Sequence, residues 1–211
     1  MATHYDDEAQ IEELKRWWKE NWKALAAGLA IGLAGIVGWE SYQSFNQGRA
    51  EQASQMFEEL KTALAAGQSE DATRLAATLQ REFAATPYAT GAGLSLAAQA
   101  VEQGDLARAA EQLRWVHQHG YDAGMRQLAG LRLARVLWQQ EQPDEALKLL
   151  DTDAQAYAAL YAELRGDILL SQGQPEAARA AYEQALQRLA PDADPQLLQR
   201  KLDDLAGVVQ S

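Results

Sequence analysis

The sequence has no cysteine, three histidines and five prolines in 211 residues. Without cysteine there is no disulfide framework, no thiolate metal site and no cysteine nucleophile, and the redox compartment is left open. Bases are scarce as well: 19 Lys and Arg stand against 30 Asp and Glu, for a formal charge of −11. A chain this acidic repels a phosphate backbone, which argues against nucleic-acid binding. The histidines offer little chemistry. His4 lies in a polar leader, while His117 and His119 are two apart near a helix end. Residues so spaced point about 200° away from each other, and no other His or Cys completes a site. Walker, G-x-S-x-G and H-E-x-x-H motifs are all missing. Carboxylate pairs are common in any acidic helical protein, so they do not identify a glycosidase. The sequence therefore assigns no catalytic residue, no cofactor and no metal.

What the chain has is helix-forming composition, rich in Ala, Leu, Gln and Glu. It also has one long uncharged run. Between Lys23 and Glu40 lie sixteen uncharged residues, and only Glu40 interrupts the stretch from Lys23 to Arg49. As a helix, residues 24–39 are about 24 Å long, short against a hydrocarbon core of about 30 Å. The flanks extend it. Lys23 can snorkel, Trp17, Trp18 and Trp22 precede the run, and Trp39, Tyr42 and Phe45 follow it, as at membrane interfaces. A signal peptide fits less well, because Gly38, Trp39, Glu40 and Ser41 stand where small cleavage-site residues are needed. A buried helix of a soluble domain would seldom carry aromatics at both ends with bases at one. The reading is an uncleaved anchor. Lys15, Arg16, Lys19 and Lys23 precede it and Arg49 is the next base after it, which places the N-terminus in the cytoplasm. Ile11, Leu14, Trp18, Trp22 and Leu25 recur at helical spacing, so the helix starts before the membrane. Ala24, Gly28 and Gly32 form a small-residue face, read either as a helix-packing face or as filler of the span.

From residue 48 helical runs alternate with short Gly/Gln/Pro/Asp breaks. The breaks align: Gly104, Glu141 and Gly173 correspond, as do Ala109, Ala146 and Ala178, at offsets of 37 and 32 residues. Before each turn stands a small pair four apart, Gly93/Ala97, Gly130/Ala134 and Ala162/Gly166. Such pairs share a helix face and admit a close neighbour. After each alanine comes a larger residue, Leu113, Leu150 or Tyr182. This period and pattern predict a tetratricopeptide-like stack of helix pairs. An earlier unit over 48–84 is degenerate, with Met56 and Leu60 in place of the small pair. Asp194 and Pro195 open a final capping helix whose Leu198, Leu202, Leu205 and Val209 face inward. The expected fold is all-α: a single N-terminal transmembrane helix followed by a tetratricopeptide-like α-solenoid. Its parts are a cytoplasmic leader with an amphipathic helix (1–22), an anchor (23–42) and a repeat domain with a capping helix (43–211).

On such a stack the first helix of each pair lines a concave groove. Repeat spacing places Leu128, Leu131, Arg135, Trp138 and Gln139 there, with Glu163, Asp167, Leu170 and Ser171 from the next repeat. Arg135 and Trp138 share a face, with Asp167 expected opposite them. Trp138 reads two ways, as a binding anchor or as packing between repeats.

The leader and span "IEELKRWWKENWKALAAGLAIGLAGIVGW", followed by "LRLARVLWQQEQPDEALKLLD" and "AELRGDILLSQGQPEAARAAYEQAL", resemble the YfgM family of ancillary SecYEG translocon subunits. The resemblance covers nearly the whole chain. It implies a single-pass bacterial inner-membrane protein with a periplasmic repeat domain, associated with SecYEG and with a PpiD-type membrane-anchored chaperone. It implies no catalytic residues. The first reading is a non-enzymatic scaffold or chaperone-like subunit that holds a partner, or an emerging unfolded secretory client, at the translocon. A second is an envelope-stress regulator whose leader binds a cytoplasmic signalling protein; a third, a periplasmic enzyme, lacks any nucleophile–base set.

Overall fold

The structure, a computed structural model, describes residues 3–152 and 154–208; the side chains of 3–10, 25 and 206–208 lie outside that description. His4, Leu25 and Val209, named above, are thus outside the described residues or side chains. The described residues are helical throughout, joined by turns: α1 (Thr3–Ala65), α2 (Ser69–Glu82), α3 (Pro87–Glu102), α4 (Leu106–His119), α5 (Ala123–Gln139), α6 (Pro143–Leu150), α7 (Ala158–Ser171), α8 (Pro175–Gln187) and α9 (Gln196–Val208), with a 3-10 turn at Gln155–Tyr157. Contacts divide the chain into two units, Met1–Arg49 and Ala50–Ser211.

In the first unit the large apolar side chains of α1 remain exposed, among them Trp17, Trp18, Trp22, Leu29, Ile36 and Trp39. Nothing lies within 4 Å of where a Cβ would stand on Gly28 or Gly32. Trp39 lies tilted against Tyr42 at 6.4 Å, and Arg49 sits over the Phe45 ring at 5.8 Å. Among the described residues no single helix is long and apolar enough to cross a membrane. The segments Ile11–Ala24 and Ala26–Ala65, bent at their junction, meet that length and composition only together.

The second unit is built from helix pairs: the end of α1 with α2, then α3/α4, α5/α6 and α7/α8, closed by α9. The turns repeat as their sequence alignment predicts. Gly67, Gly104 and Gly173 have φ of 71°, 76° and 72°, and Glu141 takes the equivalent place at 61°. In each, the next residue's N–H reaches back to the preceding helix: Gln68 to Ala63 O, Asp105 to Ala100 O, Gln142 to Leu137 O and Gln174 to Leu169 O, all at 2.8–3.0 Å. This closes the helix end around a left-handed residue, where glycine is free and Glu141 is strained. The following helix then starts on a cap, such as the Asp105 carboxylate accepting from Arg108 N–H at 3.0 Å, or on Pro143 and Pro175 in its first turn.

Between helices the small pairs act as expected. A Cβ on Gly93 would stand 2.6 Å from Val116 Cγ2, and one on Gly130 2.6 Å from the Tyr161 hydroxyl. Ala109, Ala146 and Ala178 are fully buried. The degenerate first pair solves the same problem in reverse. Phe57 of α1 is large, and space for it is made on α3, where a Cβ on Gly91 would meet its ring at 3.0 Å. Leu198 and Leu205 of α9 are buried and Leu202 is partly buried against Tyr182 and Ala185, so α9 closes the stack. Asp194 accepts from Gln196 N–H at 2.9 Å, capping the helix one residue later than Pro195 suggested.

Candidate functional site

The helix pairs leave one face of α5 open, and its stripe follows the helical period. Met125, Leu128, Arg132, Arg135 and Gln139 are exposed or half-buried, at steps of three and four. On α3 the corresponding stripe ends in Leu94, Ala98, Val101 and Glu102. Between the two helices lies a cavity of about 500 Å³, floored by Leu94, Ala97, Val101 and Val136, with Arg132, Arg135 and Gln139 on one side and Glu102 on the other. Its volume is within the range of about 300–1,000 Å³ usual for ligand clefts.

Of the sequence-predicted groove residues, Arg135 and Gln139 line this cavity. Leu131 does not, which corrects its assignment. It is 1% exposed and belongs to the central core with Leu133, Leu137 and Leu164. Its equivalent one repeat earlier, Leu94, is only partly buried and does line the cavity. Leu128 is half-buried outside it. Trp138 packs partly against the core and its indole N–H donates to Ser171 Oγ at 3.1 Å, linking α5 to α7. The inter-repeat role thus has direct contacts, while Trp138 is absent from the cavity lining. Leu170 and Ser171 are exposed at the end of α7. Sequence reasoning missed Arg132, although it lies four after Leu128 and three before Arg135, and it missed the whole α3 wall. The two histidines are used locally: His117 Nδ1 lies 3.0 Å from Arg126 O, and His119 stacks on Trp115 at 5.3 Å.

The tetratricopeptide repeat-like domain family matches residues 15–207, a range that takes in the apolar stretch as well as the repeats. Curated relatives named "Ancillary SecYEG translocon subunit" match end to end. The protein from Escherichia coli (strain K12) is 34% identical over 98% of this chain and 100% of its own length. Those from Haemophilus influenzae and Neisseria gonorrhoeae are 30% and 32% identical, each over 97% of this chain and all of theirs. The chain belongs to the YfgM family. Among solved structures, a thermophilic tetratricopeptide protein of Thermus thermophilus is similar at 20% identity, with a TM-score of 0.44 over 72% of this chain and 79% of that one.

In this YfgM chain the remaining predicted groove residues, Glu163 and Asp167, are engaged by the capping helix. Lys201 Nζ donates to Glu163 Oε1 at 2.8 Å and to Asp167 Oδ1 at 2.6 Å, and the Tyr182 hydroxyl donates to Asp167 at 2.8 Å. Asp167 therefore does not face Arg135 as a free acid, and the expected pairing across that groove is replaced by a lock between α7, α8 and α9. Burial pulls the Lys201 pKa down, but its hydrogen bonds to Asp167 and Glu163 outweigh this and leave it raised. Burial and the Asp167 carboxylate push the Tyr182 hydroxyl up.

Both shifts favour the protonated form in the folded state. The stabilisation is complete below the unfolded values of 10.5 for Lys and 10.0 for Tyr, and is lost as pH rises through the higher folded ones. With Lys201, Glu163 and Asp167 side chains only 25%, 19% and 28% exposed, solvent screens the cluster weakly. Lys201→Met should cost about 2 kcal/mol at neutral pH, by leaving two half-buried carboxylates without their cation. Thermal melts at pH 7 and pH 11 should show a difference between parent and variant that shrinks in alkali. Equal melting at pH 7 would show that the cluster does not hold α9.

Proposed function

We propose that this protein is a membrane-anchored, non-enzymatic scaffold of the SecYEG translocon, chaperone-like in its partners, with its repeat domain in the periplasm. One observation carries the reading: the large apolar side chains of α1 before residue 50 stay exposed, whereas the repeat unit buries most of its own. A helix that is apolar without a protein partner needs lipid or another helix around it. The relatives' names supply the complex, and the YfgM resemblance adds a PpiD-type chaperone and emerging secretory clients as partners for the repeats. On this reading residues 1–22 are a cytoplasmic leader, 23–42 the inner-membrane anchor and 43–211 the periplasmic domain. Ala24, Gly28 and Gly32, four apart on one face, would face a partner helix. Affinity purification in mild detergent tests this. The parent should bring down translocon components, and Gly28→Leu with Gly32→Leu should remain in the membrane while recovering several-fold less of them. A parent that brings down no translocon component would end the proposal; full recovery by the double variant would move the contact to the leader or the repeats.

A further inference from the structure

The α3–α5 cavity combines an apolar floor with cations that the fold does not use. Several other repeat arginines are occupied: Arg74 pairs with Asp71, Arg108 donates to the Thr73 hydroxyl, Arg126 to Gly120 O at 2.7 Å, and Arg165 to Leu150 O. Arg132 and Arg135 are exposed and make no ion pair or hydrogen bond with any described residue. They stand three apart on one face of α5, so a single acidic group can meet both. This is a local cationic site in a chain of net charge −11. Beside it Val101 is 43% exposed and Leu94 is partly buried, leaving apolar surface uncovered at the cavity floor.

We infer that this groove binds an acidic, apolar polypeptide segment, with a leucine-like side chain on the Leu94–Val101 floor and a neighbouring carboxylate on Arg132 and Arg135. The inference rests on the scaffold reading and names the chemistry of the partner its repeats would hold. Charge complementarity selects this occupant. A basic segment would be repelled by the arginine pair. Nucleic acid would meet a strongly acidic protein around two cations. Glu102, on the opposite wall and likewise without an ion pair among the described residues, sets the orientation: it repels a carboxylate from α3 and leaves α5 as its seat.

The test uses full-length protein in detergent micelles and fluorescence anisotropy. The probes are short labelled peptides of leucine and glutamate, and matched peptides of leucine and lysine. The parent should prefer the glutamate peptide by roughly tenfold, a difference typical of two charge-assisted contacts. Arg132→Glu with Arg135→Glu should reverse the preference, the milder Arg132→Gln with Arg135→Gln should abolish it, and Glu102→Gln should strengthen binding of the glutamate peptide. All these side chains are exposed, and unchanged far-UV circular dichroism will show that the fold is kept. Equal binding of the two peptides by the parent, or an unaltered preference in both arginine variants, overturns the inference. So does loss of binding to phosphatidylglycerol vesicles on charge reversal with peptide preference intact, since the arginines would then face lipid. Translocon recovery is scored on the same parent preparation. If it succeeds while peptide discrimination fails, the groove inference falls and the scaffold reading stands; if it fails, the scaffold reading falls on its own account.

Discussion

Replacing Gly166 by Leu should lower the stability of the repeat unit by about 3 kcal/mol, the upper end of what overpacking usually costs. The reason is geometric. Gly166 is buried on α7, and a Cβ built there would collide with one edge of the Tyr182 ring, at its Cε1, Cδ1 and Cζ. The ring cannot easily give way. Tyr182 is 1% exposed, its hydroxyl is held by Asp167, and Lys201 lies 5.4 Å from its centroid. Moving the ring would therefore disturb α7, α8 and α9 together. For a unit of this size the midpoint of thermal unfolding should fall by roughly 10 °C. Ala177→Leu makes a control. It adds similar bulk on the exposed face of α8 and should leave the midpoint in place. A Gly166→Leu melt coincident with the parent's would mean that α7 and α8 do not approach at this register.

The second large effect expected is topological. Protease added to spheroplasts should remove the repeat unit from about residue 48 and leave the leader intact. Four bases, Lys15, Arg16, Lys19 and Lys23, precede the uncharged run, and Arg49 is the next after it. The bias of Lys and Arg sets orientation, while the acids nearby contribute little. The run is short for a span, so Trp17, Trp18 and Trp22 on one side and Trp39 and Tyr42 on the other must lie at the headgroups to complete it. The first cut should fall past Tyr42, where polar and charged residues resume. A repeat unit that resists protease until the inner membrane is broken would place it in the cytoplasm and reverse the orientation proposed here.

The turns, the helix pairs and the close-packing sites were legible in the chain because each leaves a mark at fixed spacing. A left-handed residue at 104, 141 or 173 closes its own helix end, and the small pair seven to eleven residues before it recurs at a constant distance from that turn, although the side chains it admits come from other helices. Their spacing therefore survives in a single sequence. The apolar run in α1 is legible as well, since the want of charge between Lys23 and Glu40 requires no tertiary partner to be seen.

The open part of the groove was decided by residues far away. Leu131 and Leu94 occupy the same place in the repeat, yet the first is covered and the second is not, because burial depends on what packs on each side of a helix. Asp167 resembles a groove acid in sequence, but Lys201, 34 residues later, covers it from the capping helix. Arg132 carries no repeat signature at all. It became part of the site only when α3 placed Leu94 and Val101 across from it. Helical period alone therefore determined which residues of this protein share a face. The tertiary packing decided which of those faces remained open, through contacts between helices that the local chain does not encode.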